Sequence, residues 1–422
     1  MTHIVVIGGG FAGVWSAAGA VRAARAAKHA GRDMHVTLIS GGDDLVLRPR
    51  LYEEDPQSKR VPLDRVLGPI GVRRITATVT GIDVEAHTVQ AVGRGGEDVR
   101  LGYDKLVLAS GSRLVRPGFP GAHNMFDVDT LVSASALDHH VRSLPRRRTA
   151  AGRYTAVVVG AGFTGLEIAT ALVDRLHAVA DPHGAGDEVR VVLVDRADVL
   201  GPELGPGPRP YIEASVDRLK IERRLGSTVA SVTPDAIELS GGETIATATV
   251  VWTAGVIASP LTAQIPADRD KLGRLSVDAY MRVKGVPDVY AAGDTAAVLV
   301  EDDHYTTQSC QHAQPMGKFA GHNVVADLTD TAALPFGSDI YNTCLDLGPD
   351  NAVESKGWDR TIHVTGKEAK ILKHNINARW IYPSLDDAEA ILAHAGRFSN
   401  AEAARKAGTR ESDAATVGTG SA

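Results

Sequence analysis

Cysteine is almost missing from this chain of 422 residues: the two that occur, Cys310 and Cys344, lie late and outside any CxxC spacing. That excludes a disulfide framework and a thiolate metal site, points to a cytoplasmic protein and leaves no metal to expect. Positive charge is in deficit as well. A formal net charge of −6 argues against nucleic acid or an anionic membrane as an electrostatic partner and leaves small charged molecules open. No apolar run is long enough to span a bilayer. The apolar N-terminus lacks the basic flank of a secretion signal, and glycines interrupt it. What remains, 44% hydrophobic and 23% charged, is the composition of a soluble globular protein of two or three domains.

Residues 4–13, IVVIGGGFAG, organise the first part of the chain. The β-branched run 4–7 suits a strand buried on both faces, and the alanine-rich residues 14–27 suit a helix. Between them, Gly8 allows a tight turn, Gly10 lets the backbone approach a pyrophosphate, and Gly13 lets the helix pack on the strand. Phe11 and Ala12 share that turn, so the phosphates would meet a helix N-terminus. Residues 154–171, YTAVVVGAGFTGLEIATA, repeat the arrangement with Gly160, Gly162 and Gly165 after a strand at 156–159. One such motif is weak evidence; two in strand-turn-helix context indicate two dinucleotide sites.

The second strand of the first unit is expected at 35–39. The acidic residue that would bind a ribose 2′-hydroxyl at its end is replaced by Ser40, with Asp43 or Asp44 as alternatives, and FAD is the expected ligand. Arg48 and Arg50 flank Pro49 in an expected extended loop, 46–52, facing flavin phosphate, substrate or solvent. An antiparallel excursion follows at 74–79, 88–92 and 99–101, turning at 93–96. Residues 103–112, YDKLVLASGS, read as a buried strand whose small end, Ser110 and Gly111, lets a ligand come close. Arg146, Arg147 and Arg148 mark a surface linker.

In the second unit the helix should run to about residue 179 and the next strand over 189–194, ending at Asp195. A carboxylate there accepts from a 2′-hydroxyl and repels a 2′-phosphate, favouring NADH; Arg196 beside it keeps NADPH as the alternative. Glu167, placed in the first helical turn, either compensates the dipole or contacts the nicotinamide ribose or carboxamide. Residues 250–256, VVWTAGV, read as a strand with a small end at Ala254 and Gly255. Residues 286–292 read as another, stopping at Gly293 and Asp294. Asp294 suits a polyol such as ribityl, or caps a following helix.

With YDKLVLASGS and AAGD beside the two glycine turns, residues 4–323 resemble the two-dinucleotide-binding flavoproteins that oxidise pyridine nucleotides. Within these, GAGFTGLEIATAL, WTAGV and SCQHAQPMG at 309–317 resemble the type II NADH:quinone oxidoreductases. That resemblance implies a role for Gln311 near flavin and quinone; Gln311 and Gly317 match, and Pro315 or Met316 replaces a second glutamine. The disulfide reductases of the superfamily are excluded because no cysteine precedes residue 310, and two distant cysteines argue against sulfide oxidation. Cys310 reads as a packed thiol and His312 as a satisfied polar group.

The expected fold class is α/β: two Rossmann-like domains, with the NAD domain inserted in the FAD domain, plus a small C-terminal α+β region. The divisions are 1–150 and 257–328 for FAD, 151–256 for NAD(P)H, 329–397 for the C-terminal region, and 398–422 as a disordered tail. In the C-terminal region strands are expected at 339–347 and 352–365 and a helix at 367–376. Trp380 and Tyr382 close over the flavin or fill a core. The expected function passes a hydride from NADH to FAD and electrons onward to a quinone or quinone-like small molecule. Alternatives are a flavin monooxygenase and a nucleotide-sensing binding module; a homodimer is an open arrangement.

Overall fold

The computed structural model describes residues 2–28, 33–147, 150–329 and 331–398; Arg148 of the linker and the tail 399–422 lie outside the described residues. The first glycine motif is flanked by strand β1 (Thr2–Ile7) and helix α1 (Phe11–Lys28), followed by strand β2 (Met34–Ser40). Ile4, Val5 and Val6 are fully buried, as an uninterrupted β-branched run in a parallel sheet requires. Strands β3 (Arg73–Asp83), β4 (Thr88–Gly93) and β5 (Asp98–Gly102) form the antiparallel excursion, and β6 (Lys105–Leu108) returns to the core.

The second motif lies between β7 (Thr155–Val159) and α2 (Phe163–Ala180), and β8 (Arg190–Val194), β9 (Glu222–Arg224) and β10 (Thr249–Trp252) complete its sheet. Strand β11 (Val289–Ala291) then leads towards helix α3 (Cys310–Thr329). Strands β12 (Asn342–Asp346), β13 (Ala352–Lys356) and β14 (Thr361–Thr365) form an antiparallel sheet before helix α4 (Gly366–Asn375).

Spatial order explains where ligands can sit. The seven-stranded sheet runs β11-β6-β1-β2-β3-β4-β5, with β1 flanked in parallel by β2 and β6. The four-stranded sheet runs β9-β8-β7-β10, with β7 flanked in parallel by β8 and β10. The chain crosses from β1 to β2 on one side while β6 and β11 lie on the other, and from β7 to β8 on one side while β10 lies on the other; the crevice opens at the carboxyl end of each central strand, where the glycines lie.

Several segments differ from expectation. Helix α1 starts at Phe11 rather than near residue 14, because Val14 N–H already donates to the Gly10 carbonyl at 3.0 Å. Residues 46–52 are not an extended loop: Asp44–Val46 pairs with Arg60–Pro62, and Pro49, with its fixed φ, helps form a single 3-10 turn at Arg48–Arg50. The strand expected at 250–256 ends at Trp252, and that at 286–292 shrinks to β11. Val256–Ala258 instead pairs antiparallel with Ser112–Leu114, so the two chain crossings between the sheets lie side by side. No helix follows Asp294; residues Gly293–Thr295 form one 3-10 turn without a side-chain cap, and the chain enters a short strand. Among the described residues no helix is long and apolar enough to cross a membrane.

Candidate functional site

Both crevices open into one cavity of about 2760 Å³. Gly8, with φ 117°, leaves no room for a Cβ against the Ala109 carbonyl, and a Cβ on Gly13 would collide with the Gly8 carbonyl. Gly160 and Gly165 repeat these restrictions against Thr253 and the Gly160 carbonyl. Gly10 has open space where a side chain would be. Each motif is therefore closed towards the protein; the first is bare towards the cavity at Gly10, and the second has only the Glu203 side chain over Gly162, the form needed to admit a pyrophosphate at a helix N-terminus. Gly8, Gly10, Phe11, Ala12, Gly160, Gly162 and Gly165 all line it, while Gly13 lies behind as a packing position.

Ser40, Arg48, Ser110, Gly111, Ala254, Gly255, Gly293 and Asp294 complete the expected wall. Ser110 Oγ is buried without a hydrogen-bond partner, an orphan a ligand in the cavity would satisfy. Ser40 Oγ donates to the Gly42 carbonyl at 2.7 Å. Asp43 turns away to the Thr76 hydroxyl and the Arg74 guanidinium, which hold its carboxyl down to about 2. Asp44 pairs with Arg60 at 3.0 Å. Arg48 donates to Ser112 Oγ at 2.7 Å and pairs with Asp129, and Ser112 Oγ donates to Asp294 at 2.6 Å. This network ties the 3-10 turn to the crossing between the sheets.

At the second motif, Asp195 accepts from Ala161 N–H and, at 2.8 Å, from Ala197 N–H, which fixes its carboxylate at the end of β8 facing the cavity. A residue not singled out from the sequence sits at the N-terminus of α2: Glu203 Oε1 accepts from Phe163 N–H at 2.6 Å. Its distance from the glycine motif along the chain concealed it.

Glu167 belongs to the second turn of α2 rather than the first, and is only 4% exposed. Its Oε1 lies 2.7 Å from Lys373 Nζ and accepts from Asp346 N–H at 3.1 Å. Burial pushes its carboxyl up to about 7 against the opposing pull of Lys373. Burial alone would lower the Lys373 ammonium, but Glu167 beside it raises it. Asp346 in turn accepts from Tyr52 Oη at 2.9 Å and from Lys370 at 2.6 Å. An acid able to exchange a proton near neutrality thus lines the cavity where α2 meets the C-terminal sheet. Lys373 was hidden from sequence reading because an inward lysine on α4 looks like any solvated one.

Gln311 lies in the first turn of α3 and lines the cavity. Its amide faces the Asn342 backbone, donating to the carbonyl at 2.6 Å and accepting from N–H at 3.1 Å. Gln314, one position before Pro315, also lines the cavity and was missed because it is offset from the expected glutamine position. Burial raises the Cys310 thiol, so it is no ready nucleophile. His312 is not fully satisfied as expected: Nδ1 accepts from Thr307 N–H at 3.1 Å, but buried Nε2 has no partner. Tyr382 packs against the core of the first sheet while its Oη accepts from Arg50 at 2.8 Å, whereas Trp380 is largely exposed and fills no core.

Residues 2–317 match the sequence model of the pyridine nucleotide-disulphide oxidoreductase family. An NADH dehydrogenase-like protein of Mycobacterium tuberculosis is 45% identical over 393 residues, covering 93% of this chain and 97% of its own length. The type II NADH:quinone oxidoreductase NdhA of the same species is 31% identical over 322 residues, covering 69% and 66%. The fold is similar to that of NDH2 from Plasmodium falciparum, solved in complex with NADH, with a TM-score of 0.75, 13% identity and coverage of 94% and 97%.

Proposed function

Because the chain belongs to the pyridine nucleotide-disulphide oxidoreductase family, we propose that it is a cytoplasmic FAD-dependent enzyme oxidising NADH with a quinone or quinone-like acceptor. The observation that carries this reading is the pair of glycine turns, each at a helix N-terminus, opening into one cavity. Bound FAD would supply the two-electron chemistry that links NADH to the acceptor. With a quinone the balance is NADH plus quinone plus one proton, giving NAD⁺ and quinol.

The chain's own residues divide the remaining tasks. Gly8 and Gly10 with the start of α1 would hold the flavin pyrophosphate, and Asp294 and Ser112 offer hydrogen bonds to a polyol. Gly160 and Gly162 with α2 would hold the pyrophosphate of NADH, and Asp195 would accept from the adenosine ribose and repel a 2′-phosphate. Glu167, whose Oε1 accepts from Lys373 and Asp346 N–H, would hold a proton on its other oxygen for the acceptor's reduction. Gln311 would orient the acceptor. On this division residues 1–114 and 257–328 serve FAD, 115–256 serve NADH, and 329–397 cover the acceptor end; the first boundary falls earlier than residue 150 because Phe126 bridges to Val251 and Leu137, Val141 and Leu144 pack in the core of the second sheet.

Purified protein should be yellow, bleach on anaerobic addition of NADH, and recover its colour with a quinone. Oxygen uptake stoichiometric with an organic substrate would instead favour a monooxygenase. Tight nucleotide binding without NADH oxidation would favour a sensing module.

A further inference from the structure

Beyond the glycine turns, the cavity wall contains a second polar group. Arg360 is only 9% exposed, and its Nη1 has no hydrogen-bond partner. Its guanidinium lies over the Tyr341 ring, 4.3 Å from the centroid, while Nη2 reaches the Tyr341 hydroxyl at 3.3 Å and the Glu203 carbonyl at 3.4 Å. Among the described residues no carboxylate pairs with it. An aromatic face and neutral oxygens compensate only part of the cost of burying a cation.

His312 supplies a second unfilled donor in the same network. Because Nδ1 accepts from Thr307 N–H, the proton of the neutral ring is on Nε2, and that atom is buried without a partner in a residue 1% exposed. Burial holds the imidazole down to about 4, so it is neutral at physiological pH. Thr307 Oγ1 lies 3.0 Å from His312 Nδ1 and 3.4 Å from Tyr341 Oη, linking the histidine to the tyrosine that carries Arg360. The His312 and Tyr341 rings stack at 5.3 Å. All four residues line the cavity. Arg360 also holds a positive φ of 59°, a conformation that is costly for a residue with a side chain and recurs at ligand sites.

We infer that His312, Tyr341 and Arg360 form a seat for an oxyanion, a carboxylate or ionised enol carried by the electron acceptor. The inference rests on the reading that the cavity receives such an acceptor, and narrows its class from neutral lipid quinones to acidic ones. A buried guanidinium and a buried N–H together match one anionic oxygen group, whereas a neutral quinone carbonyl leaves the charge uncompensated. The other source of an oxyanion is a phosphate of NADH.

The test uses holoenzyme, menadione, and a menadione bearing a carboxyethyl side chain, with the acceptor-free bleaching of the flavin by NADH measured separately. Wild type should show a KM about tenfold lower for the carboxylate acceptor, and Arg360→Gln should remove that advantage. Menadione kinetics and the NADH dependence of bleaching should stay unchanged, and Arg360→Lys should fall between. Equal KM values for both acceptors in wild type would overturn the proposal without needing any variant. A loss of NADH affinity in Arg360→Gln would also overturn it, assigning the seat to the dinucleotide phosphate. Absence of NADH bleaching in wild type would instead refute the proposed function, a separate outcome.

Discussion

Glu203 Oε1 sits 2.6 Å from the Phe163 N–H, on the N-terminus of α2. A helix N-terminus is where a dinucleotide pyrophosphate would bind, and the carboxylate occupies it as an internal anion. A Cβ on Gly162 would also collide with this side chain. On the proposed assignment, NADH would have to displace Glu203. Glu203→Gln should weaken the competing contact by about 0.3–1 kcal/mol, tightening NADH binding about two- to fivefold. Anaerobic titration of the bleaching rate against NADH checks this; unchanged affinity would show that the carboxylate does not compete.

Gly162→Val should abolish reduction by NADH while leaving FAD bound, because the branched side chain adds bulk beside Glu203 where the pyrophosphate would approach the α2 N-terminus. Gly10→Val should do the converse: open space surrounds that position, so the protein should still fold but emerge colourless. Loss of FAD from the Gly162 variant would mean the two sites are assigned backwards. Visible spectra before and after NADH distinguish these outcomes.

Glu167 and Lys373 form a buried pair whose members should respond unequally to mutation. Glu167→Gln keeps the neutral form that burial already favours near pH 7, so it should cost little. Lys373→Met also removes the bond that Nζ donates to the Cys344 carbonyl at 3.1 Å, so it should cost more. Denaturant titration at neutral pH reads both. In turnover, Glu167→Gln should slow the reoxidation of the flavin by quinone more than its reduction by NADH.

The same carboxyl makes stability depend on pH. Its folded value is raised from 4.5 to about 7, so the folded state holds the proton more tightly. Its stabilising contribution is complete below 4.5 and is lost as pH rises through about 7. Wild-type stability should therefore fall over that window, and Glu167→Gln should flatten the slope. An equal slope in both proteins would place the titration elsewhere.

Asp195→Asn should relax discrimination against NADPH by about tenfold, since a charge facing the 2′-phosphate is removed. Steady-state kcat/KM with both nucleotides measures it. A gain for NADPH without loss of flavin would support the assignment.

The parts of the site legible in the sequence are those in which a short stretch supplies both geometry and chemistry. Gly8 with Gly13, and Gly160 with Gly165, each contain their strand, turn and helix within a few residues, and Asp195 ends the next strand along. Glu203, Lys373 and Arg360 reach the cavity from a loop, a later helix and a distant hairpin turn. Their roles come from tertiary packing, which no local periodicity encodes. The helix anticipated after Asp294 failed for a related reason: Ser112 and Arg48, far earlier in the chain, engage its carboxylate and leave it no capping task. Backbone punctuation misled at residues 46–52, where the pairing of Asp44–Val46 with Arg60–Pro62 outweighs the preference of isolated arginines and proline for an open loop.

The ladder joining Ser112–Leu114 to Val256–Ala258 gives the second sheet a single doorway. Its incoming and outgoing threads are already neighbours there, so residues 115–255 could be excised and the cut ends sewn together across one strand spacing. The seven-stranded scaffold would keep every one of its strands, and the excised piece would carry its own complete four. Such an architecture lets a lineage exchange one nucleotide cassette for another without disturbing the frame that receives it.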